Sequence, residues 1–166
     1  MYFIIDTCFL LHAIDLKRRE VIDLSPQLKK CHLAITHDLL KEIENYTDGS
    51  FIDIREFTIL ATPKTKCNQF KRKYEYLEYF DKADQGIWIS SINTDNIVLT
   101  DDGALYEELI QLGVRTYRLP SFLLLLVDRN KLNKNEARRC LKYWEDNSLY
   151  KIKDLKKWKK QLNKIA

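Results

Sequence analysis

Glycine and proline are scarce in this chain, four and three among 166 residues. That scarcity excludes collagen-like repeats and a Pro/Gly-rich linker between domains. The length fits one domain with room for a substantial core. Long apolar runs are missing too. The longest, FLLLLV at 122–127, is far too short to span a bilayer, so no membrane association is expected. No basic stretch precedes the apolar residues at the start and no leader-cleavage pattern follows them, which predicts a cytoplasmic protein. The four cysteines, Cys8, Cys31, Cys67 and Cys140, make no Cys-x-x-Cys pair. The three histidines, His12, His32 and His37, stand at no zinc-finger spacing from them. That pattern argues against a zinc site and predicts reduced, mostly buried thiols.

What is present is a globular composition, 45% hydrophobic and 31% charged. The formal net charge of +4 is uneven. Residues 151–166 carry seven lysines against Asp154, whereas residues 1–150 hold 21 basic and 23 acidic side chains. A basic end on a slightly acidic body suits a polyanion or an acidic partner; a solvated lysine face is the plainer use.

Short β-branched apolar runs alternate with helical periodicity. Strands are expected at 2–6, 32–36, 56–62, 96–100 and 114–119. Helices are expected at 7–15, 37–46, 66–80, 83–93, 102–112, 120–129, 134–147 and 151–164, with 66–93 allowed as one helix broken near Asp81. In the second of these, Leu39, Leu40, Ile43 and Tyr46 share one broad face. Gly113 fits a helix C′ position. The alternation predicts an α/β fold, a parallel sheet covered on both faces. Ligands of such sheets bind beyond the carboxyl ends of the strands.

That edge is acidic. Asp6 ends the first strand, and Asp101 and Asp102 follow the fourth. Two adjacent negative charges need a helix terminus or a cation to offset their repulsion. Asp84 opens a largely apolar helix, and Glu42 and Glu44 flank the apolar face of the helix at 37–46. Each acid alone has an ordinary use as a cap or a surface group. Together, oxygen ligands without His or Cys suit Mg²⁺ or Mn²⁺, ions that hold phosphate and activate water.

Four ordered blocks, IIDTCFLLHAI, AITHDLLKEI, KADQGIWISS and IVLTDDGALYEELIQLGVRTYRL, resemble a PIN domain. This metal-dependent ribonuclease family includes VapC-type toxins and ribosomal-RNA maturation nucleases. The resemblance spans about residues 2–119. The helical tail that follows resembles the extension of a prokaryotic PIN subgroup, whose members often have Gly-Glu where this chain has ADQG. The resemblance implies a three-layer PIN-like fold: a parallel five-stranded sheet between helices, core about 1–130, with a helical C-terminal extension about 131–166. It also implies an endoribonuclease using Mg²⁺ or Mn²⁺, with Asp6, Glu42, Asp84 and Asp102 as the catalytic acids. Asp6, Asp84 and Asp102 would ligate the ion, with Asp101 as an additional acid. Glu42 would orient the attacking water, and the Thr100 hydroxyl would fix the acids. The implied partners are an RNA substrate, a small antitoxin protein and a second copy in a homodimer. The alternative class is a PIN-like module that binds RNA or protein without cutting.

Two basic segments are candidate RNA contacts. Residues 64–80 begin with five basic side chains among ten, then interleave aromatics, and offer Lys71, Arg72 and Lys73. Phe70, Tyr74, Leu77 and Phe80 recur at helical spacing there, which suits core. In the tail, Ile152, Leu155, Trp158, Leu162 and Ile165 line one face, leaving Lys156, Lys157, Lys159 and Lys160 for phosphates. His12 and His37 lie near the acids in sequence, where a general-base role is the lesser use.

Overall fold

A computed structural model describes residues 1–46 and 51–165, the side chains of 45 and 46 excepted, so the expected place of Tyr46 on an apolar face lies outside the described residues. Five strands, β1 (Phe3–Ile5), β2 (Leu33–Thr36), β3 (Thr58–Leu60), β4 (Ile97–Leu99) and β5 (Thr116–Tyr117), form one all-parallel sheet in the order β3-β2-β1-β4-β5. The chain builds outward from β1 to β3, then returns to the other side of β1 with β4. The crossover connections therefore diverge at the β1/β4 boundary, which is where such sheets open a crevice.

Alternation along the short strands sends side chains to two separate cores. Ile5, Ile35 and Leu99 join one apolar cluster, and Ile4, Ala34 and Val98 join the other. The first cluster is covered by α1 (Thr7–Arg18), the short α2 (Ser25–Leu28), α3 (His37–Tyr46) and α7 (Leu119–Asp128). The second is covered by α5 (Lys82–Ser91) and α6 (Gly103–Gln111), with Phe70 of α4 (Lys64–Lys73) against it. The expected layered α/β architecture is therefore observed. Among the described residues no helix is long and apolar enough to cross a membrane.

The tail is part of the first core. α8 (Lys134–Asp146) and α9 (Ile152–Lys164) bury Cys140, Leu141, Trp144, Leu155, Trp158 and Leu162 against it. Ile152 departs from the expected face: it begins α9, outside the packed stripe, and is 65% exposed.

Other departures have local causes. The third strand is shorter than 56–62 because a capping box between Asp53 and Glu56 winds Ile54–Glu56 into a 3-10 turn. The helix expected over 66–80 starts two residues earlier and stops at Lys73, and a 3-10 segment, Glu75–Tyr79, follows. There Tyr74, Tyr76 and Phe80 gather around Trp88, with ring centroids 5.1, 5.6 and 6.3 Å from it. Asp81 does break the helical run: its carboxylate caps α5 by accepting from Asp84 N at 2.9 Å. Gly113 takes the expected left-handed conformation, φ +75. The thiols are less buried than expected. All four are free, but only Cys140 is buried and Cys8 is exposed.

Candidate functional site at the carboxyl edge of the sheet

Register places the acids. Ile5 pairs with Leu99, and Asp6 N donates to Leu99 O at 2.9 Å, so Asp6 and Thr100 leave the sheet side by side. Asp6 stands at the N-cap of α1 with extended backbone, yet its side chain makes no cap. Instead its Oδ2 accepts from the Thr100 hydroxyl at 2.8 Å, and the same hydroxyl oxygen accepts from Asp102 N at 3.0 Å. Thr100 thus ties the ends of β1 and β4 together, bonding the carboxylate of Asp6 but only the backbone of Asp102.

Glu42 and Glu44, equivalent by periodicity, are separated by the structure. Thr7 Oγ1 donates to Glu42 Oε2 at 3.0 Å, across from α1, whereas Glu44 is exposed. Asp84 sits in the first turn of α5, where Asp81 takes the capping role and leaves its carboxyl free of it. Gly86, one turn into α5, lets the helix approach the end of β2. A Cβ there would lie 3.1 Å from Thr36 Cβ and Oγ1.

The acids feel one another. Asp6 is 5% exposed, and burial first, then the charges of Asp102 and Glu42, push its carboxyl up to about 6 against the pull of its Thr100 bond. Asp84 is pushed up to about 7 by burial, then by Asp81, Asp6, Asp102 and Glu42. The Cys8 thiol lies on the α1 turn beside them; although the residue as a whole is exposed, its sulfur is half-enclosed, and desolvation first, then Asp6, Asp102, Asp101 and Asp84, raise it to about 12. Four acids distant in sequence therefore share one electrostatic neighbourhood. The N-termini of α1, α5 and α6 around them offset part of the repulsion.

The Asp101–Asp102 doublet divides. Asp102 Oδ1 caps α6 by accepting from Leu105 N at 2.8 Å. Asp101, proposed by the sequence as an additional metal acid, is committed elsewhere. Its side chain is fully buried, with Oδ2 3.0 Å from His12 Nδ1 and Oδ1 accepting from Leu119 N at 3.2 Å, 3.5 Å from Arg118 Nε. The phenol of Tyr150 is held well above its ordinary range, by burial first and then by the charge and hydrogen bond of Asp101. Arg118 completes this cage by lying over the Tyr150 and Trp158 rings, 5.1 and 6.0 Å from their centroids. Sequence reading missed Arg118 and Tyr150, for which no local pattern signals a role.

The donor chemistry of Asp6, Glu42, Asp84 and Asp102, oxygen only and charge-strained, fits a hard divalent cation. Their spacing falls short of ligation: among the described residues no three Asp, Glu, His or Cys side chains are gathered to hold one metal ion.

The basic candidates also divide. Lys71 lines a cavity of about 750 Å³ beside α5. Arg72 and Lys73 are exposed, and the Lys73 ammonium lies 5.2 Å over the Tyr74 ring. In the tail, Lys156 and Lys160 are exposed, and Lys157 lines a cavity of about 340 Å³ with Arg118 and Trp158. Lys159 is spent on Glu145, 2.6 Å away, so it is not a free phosphate contact. Set beside known proteins, the chain matches no family model, no curated protein and no solved structure.

Proposed function

We propose that this chain is a PIN-type, metal-dependent endoribonuclease that hydrolyses RNA phosphodiesters. The observation that carries the reading is the convergence of Asp6, Glu42, Asp84 and Asp102 at one strand-end edge, where burial raises both Asp6 and Asp84 and the charges of Asp102 and Glu42 raise both further. Acids assembled there at a cost to folding are expected where a cation offsets them. In this reading Asp6, Asp84 and Asp102 would hold Mg²⁺ or Mn²⁺, which when bound would supply polarisation of the phosphate and a more acidic water. Glu42, steadied by Thr7, would orient the attacking water toward phosphorus. Thr100 holds the Asp6 rotamer against the repulsion of its neighbours.

A second reading, an RNA- or protein-binding module without turnover, is favoured by the absence of a three-ligand grouping among the described residues. Incubation of unstructured RNA with Mn²⁺ separates the two. Nuclease activity requires cleavage by the native chain, its loss in Asp6→Asn, and a metal-dependent rise in melting temperature that Asp6→Asn removes. Intact RNA and a melting temperature indifferent to millimolar metal would leave the binding module.

A further inference from the structure

The cavity of about 750 Å³ lies between β3, α4, α5 and the start of α3, within the size range of small-ligand sites, about 300–1,000 Å³. Its wall is aliphatic where Ile59 of β3 and Ile89 of α5 face it. Ile59 is 51% exposed, an apolar side chain left open on the edge strand. Lys64 and Lys71 of α4 and Lys82 of α5 converge on the same space, and among the described residues Asp38 is the single carboxylate lining it. None of these three lysines has an acidic partner among the described residues. α4 carries five cations and no acid.

Two amides complete the lining, Asn68 of α4 and Gln85 of α5. Gln85 gives its Nε2 hydrogen to Phe80 O at 2.6 Å, which leaves Oε1 as an acceptor. Lys82 and Gln85 bracket Asp84 in the first turn of α5, so the cavity adjoins the carboxylate edge. Ammonium groups around a slot hold phosphates without reading sequence, whereas amides at its wall can read the edge of a base. Unstacked bases of single strands are the ones exposed to such reading.

We infer that this cavity is a base-selective nucleotide pocket. One unstacked nucleotide of a single strand lays its base against Ile59 and Ile89, with its phosphates on Lys64, Lys71 and Lys82 and its edge toward Asn68 and Gln85. The inference rests on RNA as the substrate and adds that the chain chooses among bases at one position, and where that choice is made.

Fluorescence anisotropy of labelled oligo-U, oligo-C and oligo-A strands in chelator, where metal-dependent cutting is off, tests it on the whole chain. Lys64→Gln/Lys71→Gln/Lys82→Gln should weaken every strand by tenfold or more. It should also lower the salt slope by about 2, at roughly 0.7 per lost single-strand phosphate contact. Asn68→Ala should leave the salt slope unchanged and alter the ranking of the three strands. Lys64, Asn68 and Lys82 are exposed and Lys71 is half-buried, none of them in the core, so melting temperatures should stay near the native value. Unaltered affinity in the triple variant overturns the pocket. So does an equal effect of Asn68→Ala on all strands, or duplex bound as tightly as single strand. A native chain that binds strands selectively yet never cuts them in Mn²⁺ upholds the pocket and defeats the nuclease reading. One that binds no strand defeats the pocket whatever else it does.

Discussion

Asp101 turns its carboxylate inward onto His12, Arg118 and Leu119 N, while Asp102, the next residue, caps a helix at the edge of the acidic site. Substitutions should separate these duties. Asp101→Ala strands a half-buried Arg118 and a buried N–H, and should destabilise the chain by roughly 3 kcal/mol, the scale for breaking a buried pair. Denaturant titration reads that loss. Asp102→Asn retains a capping oxygen, so it should leave stability within about 0.5 kcal/mol while abolishing any Mn²⁺-dependent cleavage. An Asp102→Asn chain that still cuts would remove Asp102 from the site. Asp84 gives a pH signature. Its carboxyl is near 7 in the folded chain against an ordinary 3.8. The native state therefore keeps a proton that the unfolded chain has released, and stability falls as pH rises between those values. Without metal, Asp84→Asn should raise the melting temperature at pH 8 and leave it unchanged near pH 4. A melting temperature indifferent to this change at both pH values would show that Asp84 carries no such strain.

α9 places Leu155, Trp158 and Leu162 in the core and its lysines outside it. Trp158→Ala should cost about 3–5 kcal/mol, as for other buried aromatics, whereas Ile152→Ala should cost almost nothing. Equal losses at both sites, measured by thermal melting, would mean that the helix docks on a different face. That face was largely legible in the sequence because an i, i+3, i+4 stripe reports burial directly. The sheet and its carboxyl edge were legible for a similar reason: short β-branched runs between helical stripes leave few alternatives. Two kinds of feature were not legible. The shortened β3 and the 3-10 segment at Glu75–Tyr79 depend on the Asp53–Glu56 capping box and on rings gathering around Trp88, contacts that override local periodicity. The Asp101 cage is long-range, since His12, Arg118 and Tyr150 come from separate parts of the chain and carry no shared spacing.

Charge divides the molecule into a slightly acidic body and a strongly basic final helix, and Lys159 already bridges them through Glu145. Replacing Lys156, Lys157 and Lys160 by Gln should therefore weaken RNA binding without altering the melting temperature, as titration at two salt concentrations would reveal. Unchanged affinity would assign those lysines to solvation alone. The sheet order has a separate consequence, for synthesis. β1 is made before the other four strands of its sheet, but it is central, and its β4 neighbour is made 94 positions later, the separation between Asp6 and Thr100. Until β4 emerges, one side of β1 has no backbone partner, and closing so distant a pair is slow. Nascent chains arrested before Asn96 should stay open to protease and to capture by chaperones, whereas chains released at full length should resist both. The strand at the centre of the sheet thus waits longest for its second neighbour.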